Sequence, residues 1–173
     1  MPMGTKCNSS YKADQDVLRD ENGARRLCFD PYGESHVRVS LLGSRLFARD
    51  DGLPEWEVNL QGDAERIATW DAVFDVKRRF IDDHLDSIYK YVLKVFGTFW
   101  RKRPDVLPAN ATVCDALGHL GDLSRANGIT DRAFLETAVY ELLQIRCEAG
   151  GEEADRIVAE FSNAAFAVAR GLP

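Results

Sequence analysis

The sequence predicts an α+β protein in which a small antiparallel β-meander (about residues 26–60) packs on a helical bundle with a long central helix. Over 26–60, apolar and polar residues alternate with a period of two, which is typical of half-buried strands. After Gly62, apolar residues recur at gaps of three, four and seven, which is typical of a helix. The 173 residues suit one domain, expected over 24–173 after a mobile polar segment at 1–23.

The predicted meander contains three or four strands, at 26–29, 36–41, 45–49 and 55–60. Turn signals at 30–33, at Gly43-Ser44 and at Asp50-Asp51-Gly52 separate them. A sheet of this size is stable only when another element covers its apolar face. We expect Trp56 to seal the sheet against that element rather than to serve as an exposed anchor for a partner.

The long helix is predicted over 63–103, with Asp63 as its N-cap and Pro104 ending it. Its apolar positions fill about half of the helix circumference, which indicates contacts on two sides. At 1.5 Å per residue it would extend for about 60 Å, whereas a compact domain of this size is about 40 Å across. The helix is therefore expected either to break, most readily at Gly97, or to project and be covered by a partner chain.

Three shorter helices are predicted between 111 and 169. Thr112 and Asp115 have the spacing of a capping box, and Asn127-Gly128 is a helix stop. Thr130 or Asp131 is expected to cap the second helix, which Gly150-Gly151 ends. The third helix is rich in alanine, which would let a neighbouring helix approach closely.

The charge is unevenly distributed along the chain. The net charge is -6, and 104–173 carries eleven acidic residues against five basic ones. This balance argues against a basic footprint for nucleic acid over the whole chain. A basic strip on the long helix nevertheless favours nucleic-acid binding as an alternative, since aromatic residues interleave with it. The strip consists of Lys77, Arg78, Arg79, Lys90, Lys94, Arg101, Lys102 and Arg103.

The cysteines and histidines match no common zinc signature. They are Cys7, Cys28, Cys114, Cys147, His36, His84 and His119. The N-terminal residues lack the apolar stretch of a secretory signal, so we predict a cytoplasmic protein with reduced thiols. No apolar run approaches the roughly 20 residues of a membrane span, and we expect no membrane partner.

Four carboxylates follow one edge of the predicted long helix, at Asp71, Asp75, Asp82 and Asp86. We interpret them as a solvated edge that pairs with nearby arginines. A metal-dependent or acid–base enzyme that uses these carboxylates is a second alternative. The motif Asp82-Asp83-His84 does not favour one metal site, because helical neighbours point 100° apart. The sequence has no GxSxG, P-loop or GxGxxG motif, and we predict no catalytic residue, metal ligand or cofactor.

The function predicted from these observations is binding rather than catalysis. A short, acidic chain without motifs fits a bacterial-type regulator or inhibitor, immunity-like or anti-defence-like, that contacts a protein partner through a helical surface. The predicted interface is the projecting end of the long helix, namely Phe96, Phe99, Trp100, Arg101, Lys102 and Arg103. A homodimer through the same end is a further prediction, which a monomer in sedimentation experiments would contradict.

Overall fold

A computed structural model describes residues 16, 19–28, 37–127 and 133–169, and it confirms the α+β class. The predicted mobile segment lies mostly outside these residues. The elements are β1 (Arg38–Ser40), β2 (Asn59–Gln61), α1 (Ala64–Phe74), α2 (Val76–Arg79), a π-helix (Phe80–Leu85), α3 (Asp86–Lys102), a 3₁₀ turn (Arg103–Asp105), α4 (Val113–Ala126), α5 (Ala133–Glu148) and α6 (Glu152–Ala169). α4 packs along α5, α3 packs along α6, and β1 lies against α5.

The sheet is smaller than predicted. Within the described residues it has two antiparallel strands, with Val39 opposite Leu60. The predicted strand at 45–49 is wrong, because only one isolated bridge forms there, between Arg45 and Glu55. Residues 26–28 of the first predicted strand form no strand, and residues 29–36, with their predicted turn, lie outside the described part.

The turn after β1 is also displaced from the predicted position. The Ser44 amide donates to the Leu41 carbonyl over 2.9 Å, so the central turn residues are 42 and 43 rather than 43 and 44. The Ser44 hydroxyl in turn accepts a hydrogen bond from the Glu57 amide. The extended segments around 45 and 55 are thus joined by one backbone bridge, by two hydrogen bonds between the Ser44 hydroxyl and the Glu57 backbone and by an Arg45–Glu55 ion pair, and not by a ladder.

The predicted long helix breaks at Asp75, not at Gly97. Asp75 takes the left-handed conformation, with φ 48° and ψ 49°, which aspartate tolerates better than most residues. The Asp71 carboxylate accepts a hydrogen bond from the Lys77 amide over 3.0 Å and so caps the start of α2. From 76 to 102 the chain then stays helical, including the π-helix, for about 40 Å.

Gly97 is a point of close helix approach. A Cβ atom at this position would lie 2.9 Å from the Ala164 carbonyl oxygen and 2.8 Å from Cγ2 of Val168, both on α6. The alanine-rich face of α6 therefore sits directly on α3. Because α6 covers this part of α3, the end of the long helix does not project with its apolar residues in water.

Replacing Gly97 with alanine is expected to lower the free energy of unfolding by about 1–2 kcal/mol, because the new methyl group meets backbone atoms that cannot move aside. The helix propensity gain of about 1 kcal/mol would favour the opposite sign. Gly118→Ala is the matched control, since the atom its Cβ would meet belongs to the flexible Gln144 side chain. Urea denaturation of the two variants measures the difference. A Gly97→Ala variant as stable as Gly118→Ala would contradict the close approach.

The α4–α5 pair is joined covalently. The predicted capping box is confirmed, since Thr112 and Asp115 exchange hydrogen bonds at the start of α4. A disulfide links Cys114 to Cys147, so the prediction of reduced thiols is wrong for these two residues. Gly150 then ends α5 at φ 73°. The predicted signals at Gly128, Thr130 and Asp131 lie outside the described residues.

The apolar arc of the long helix contacts both the sheet region and α6, as predicted. Trp56 is buried and packs edge-on against Tyr89, which confirms its core role. Its indole N–H donates to the Asp86 carboxylate over 2.7 Å. The Tyr89 hydroxyl donates to Glu160 of α6 over 2.6 Å. Burial raises the pKa of both the Tyr89 hydroxyl and the Glu160 carboxyl.

Among the described residues, no helix has the length and apolarity needed to cross a membrane.

Candidate protein-binding surface

One side of α3 is exposed and carries only positive charge. We define the basic face of α3 as Lys90, Tyr91, Lys94, Arg101 and Lys102, all of which are exposed. At 100° per residue, Lys90, Lys94 and Arg101 lie within about 40° of one another around the helix axis. Tyr91 borders this row with 51% of its surface exposed. The result is a straight row of cations beside one exposed aromatic ring.

The four cations of the basic face have no carboxylate partner among the described residues. No ion pair reaches Lys90, Lys94, Arg101 or Lys102, although ion pairs are common elsewhere on the chain. Their positive charge is therefore directed to solvent. In a chain with net charge -6, this face is a local reversal of sign.

The first part of the predicted basic strip differs from the basic face of α3, because the charges of Lys77 and Arg78 are paired with carboxylates. Lys77 pairs with Asp71 at 3.4 Å, and Arg78 pairs with Asp75 at 3.2 Å and with Asp82 at 3.3 Å. Arg79 is half-buried. The predicted strip from 77 to 103 is therefore not one continuous basic surface, and its available cations begin at Lys90.

The aromatic residues of the predicted interface pack within the chain. Phe96 is fully buried, with an edge-to-face contact to Phe161 at 4.9 Å, so it cannot touch another chain without unfolding. Trp100 stacks on Phe96 at 5.3 Å, and the Arg103 guanidinium lies 3.9 Å from the centre of its ring. Phe99 stacks on His119. Arg101 and Lys102 are the members of the predicted interface that are exposed at the surface of α3.

The carboxylates of the predicted acidic edge each hold a neighbouring group. The break at Asp75 separates Asp71 from Asp82 and Asp86, so they do not form one edge. Asp86 accepts hydrogen bonds from the Trp56 indole and from Arg49, each over 2.7 Å. The described residues include no group of three or more His, Cys, Asp or Glu side chains that could hold a metal ion. His84 lies half-buried in the π-helix.

A second polar cluster joins β1, α4 and α5, and sequence reasoning missed it. Glu141 accepts hydrogen bonds over 2.8 Å from both Arg38 and Arg125. Burial opposes ionisation of Glu141, but the two arginines outweigh it and lower the pKa of the carboxyl. A groove of about 310 Å³ beside this cluster is lined by Leu42 and Ile145. Because each arginine is already bonded to Glu141, the cluster serves first to fasten β1 and α4 to α5.

No family model, curated protein sequence or solved structure matches this chain. The basic face of α3 is therefore described by its own chemistry. All of its charges are visible in the sequence, but their lack of partners is a property of the fold. The exposure of Tyr91 likewise depends on which side of α3 packs against α5 and α6.

Proposed function

We propose that this chain is a non-enzymatic protein-binding regulator or inhibitor that contacts its partner through the basic face of α3. The observation that carries this proposal is the row of exposed cations on α3 that form no ion pair with any residue that the structure describes. Lys77 and Arg78, which precede this row along the chain, are by contrast already paired with carboxylates. The unpaired row leaves electrostatic attraction available for a second molecule.

The surroundings of the row favour a protein partner. Tyr91 offers a half-exposed ring next to the lysines, and Val106 is 53% exposed just beyond the helix end. Aromatic residues and arginine are enriched in protein interfaces, where one aromatic side chain often contributes much of the binding energy. The enzyme alternative has less support, since Asp71, Asp82 and Asp86 are engaged in the fold.

The cytoplasmic location stays a prediction, and the Cys114–Cys147 disulfide opposes it. Stable disulfides are typical of oxidising compartments and are rare in the cytoplasm. Trapping the thiols in cells of the source organism, before lysis, decides between the two: modified Cys114 and Cys147 would support the cytoplasm.

Photo-crosslinking tests the proposed function. Replacing Tyr91 with the photoreactive residue p-benzoylphenylalanine in the full chain is expected to yield covalent adducts with a protein in lysate of the source organism. Phe166 is the matched control position, because it is an aromatic residue on α6 with 68% of its surface exposed. The same adducts should weaken when Lys94 is also replaced by glutamine. Adducts that form equally from both positions, or none from position 91, would contradict binding through the basic face.

A further inference from the structure

This inference rests on the proposed function and names the chemistry of the partner. We propose that the basic face of α3 docks an acidic protein segment whose carboxylates form a row of matching length. Lys90 and Arg101 are eleven residues apart, which corresponds to about 17 Å along the helix. A segment with three carboxylates over that distance would pair with Lys90, Lys94 and Arg101, the three cations that lie in one row along the helix.

Charge complementarity favours an acidic partner. Each of the four cations is exposed and lacks an ion pair within the described residues. Its charge therefore stays hydrated in the free protein, and the free-energy cost of desolvation arises only when a partner binds. A row of like charges also repels itself along α3, and carboxylates from a partner would relieve that repulsion. Attraction of this kind speeds association and weakens as salt is added, because exposed charges are screened over about 10 Å at 0.1 M salt.

The ring contacts argue against single-stranded nucleic acid as the occupant. Single-stranded nucleic acid binds by stacking its bases on free aromatic faces beside a basic groove. The ring of Trp100 is already contacted by Phe96 and Arg103, and Phe99 is stacked on His119. Tyr91 alone remains as an exposed ring on the basic face, so phosphates would be held without a stacking platform.

The sign of the charge argues against a second copy of the chain in a symmetric dimer. A two-fold interface places the same patch on both sides, so two rows of Lys90, Lys94 and Arg101 would face each other. Like charges placed opposite one another across an interface cost several kcal/mol. The predicted homodimer through this end of α3 is therefore disfavoured, and a separate acidic protein fits better.

The probes for the test are a labelled 20-residue peptide of glutamate and alanine and a labelled 20-nucleotide oligo-dT. Fluorescence anisotropy of each is measured against the full chain at low and at physiological salt. We expect the chain to bind the peptide more tightly than the oligo-dT, with affinity that falls as salt rises. Lys90→Gln/Lys94→Gln is expected to weaken peptide binding about tenfold.

The control variant is Lys77→Gln/Arg78→Gln, which changes the net charge by the same amount but removes cations that are already paired. It should bind the peptide within about twofold of the original chain. Thermal melts of both variants verify folding. An equal loss in the control, tighter binding of oligo-dT, or no peptide binding at low salt would each overturn the acidic partner. Protein adducts from position 91 together with any of these results would leave the protein-binding function in place and reject its acidic specificity.

Discussion

Replacing Phe96 with alanine is expected to lower the free energy of unfolding by about 4 kcal/mol. The side chain has none of its surface exposed and contacts two aromatic rings, an edge-to-face contact with Phe161 at 4.9 Å and a stacked contact with Trp100. Truncation removes this apolar contact area and leaves a cavity where α3 crosses α6. Urea denaturation followed by circular dichroism measures the change.

Tyr91→Ala is the control on the same helix. Its ring is half exposed, so the loss of stability should stay below about 1 kcal/mol, while binding to the acidic peptide should weaken. Phe96→Leu keeps the variant folded if the alanine variant does not fold, with an expected cost of about 1–2 kcal/mol. A Phe96→Ala variant that is as stable as the original chain but deficient in binding would place this residue in the interface, as the sequence predicted.

The prediction for Phe96 illustrates what periodicity can and cannot determine. The apolar arc of the long helix indicated correctly that more than one side is covered. It could not identify the cover, because a partner chain and α6 present the same chemistry to a phenylalanine. Gly97 has the same ambiguity, since a glycine in a helical pattern marks either a break or a close contact. The structure shows the contact, with Ala164 as the neighbour.

Local signals were the most dependable part of the sequence. The capping box at Thr112 and the stop at Gly150 are both confirmed. Each could be predicted because it depends only on residues a few positions apart in the sequence. The break at Asp75 carries no Gly or Pro, and it depends on an Asp71 side chain that caps the next helix. Alternation over 26–60 overestimated the sheet, because extended chain that packs on a core alternates even when it forms few ladder bonds.

At the candidate site, too, the sequence predicts local features but not the contacts that depend on the fold. Lys77 and Lys94 are indistinguishable in sequence as basic residues on a helix, yet among the residues with described positions only Lys77 has a carboxylate partner. Pairing depends on side-chain direction and on the break at Asp75, which no composition reveals. The disulfide was equally invisible, because 33 residues separate Cys114 from Cys147 and nothing in their spacing suggests a pair.

Removing the Cys114–Cys147 disulfide is expected to lower the free energy of unfolding by about 3–4 kcal/mol. The bond closes a loop of 33 residues, and the loop entropy of the unfolded chain accounts for a loss of that size. The bond also fixes the first turn of α4 to the last turn of α5, where Cys147 is buried. Denaturation of the original chain with and without a thiol reductant measures the effect.

The double variant Cys114→Ala/Cys147→Ala should reproduce the reduced chain without added reductant and should no longer respond to it. Cys28→Ser is the control, because the Cys28 thiol is exposed and takes no part in the disulfide. Its stability should change by less than about 0.5 kcal/mol. A midpoint that is the same in the presence and absence of reductant would mean that α4 and α5 are held by packing alone. In that case the free energy of unfolding would not depend on the disulfide, and the fold would be equally stable in a reducing compartment. The disulfide would then be no argument against a cytoplasmic location.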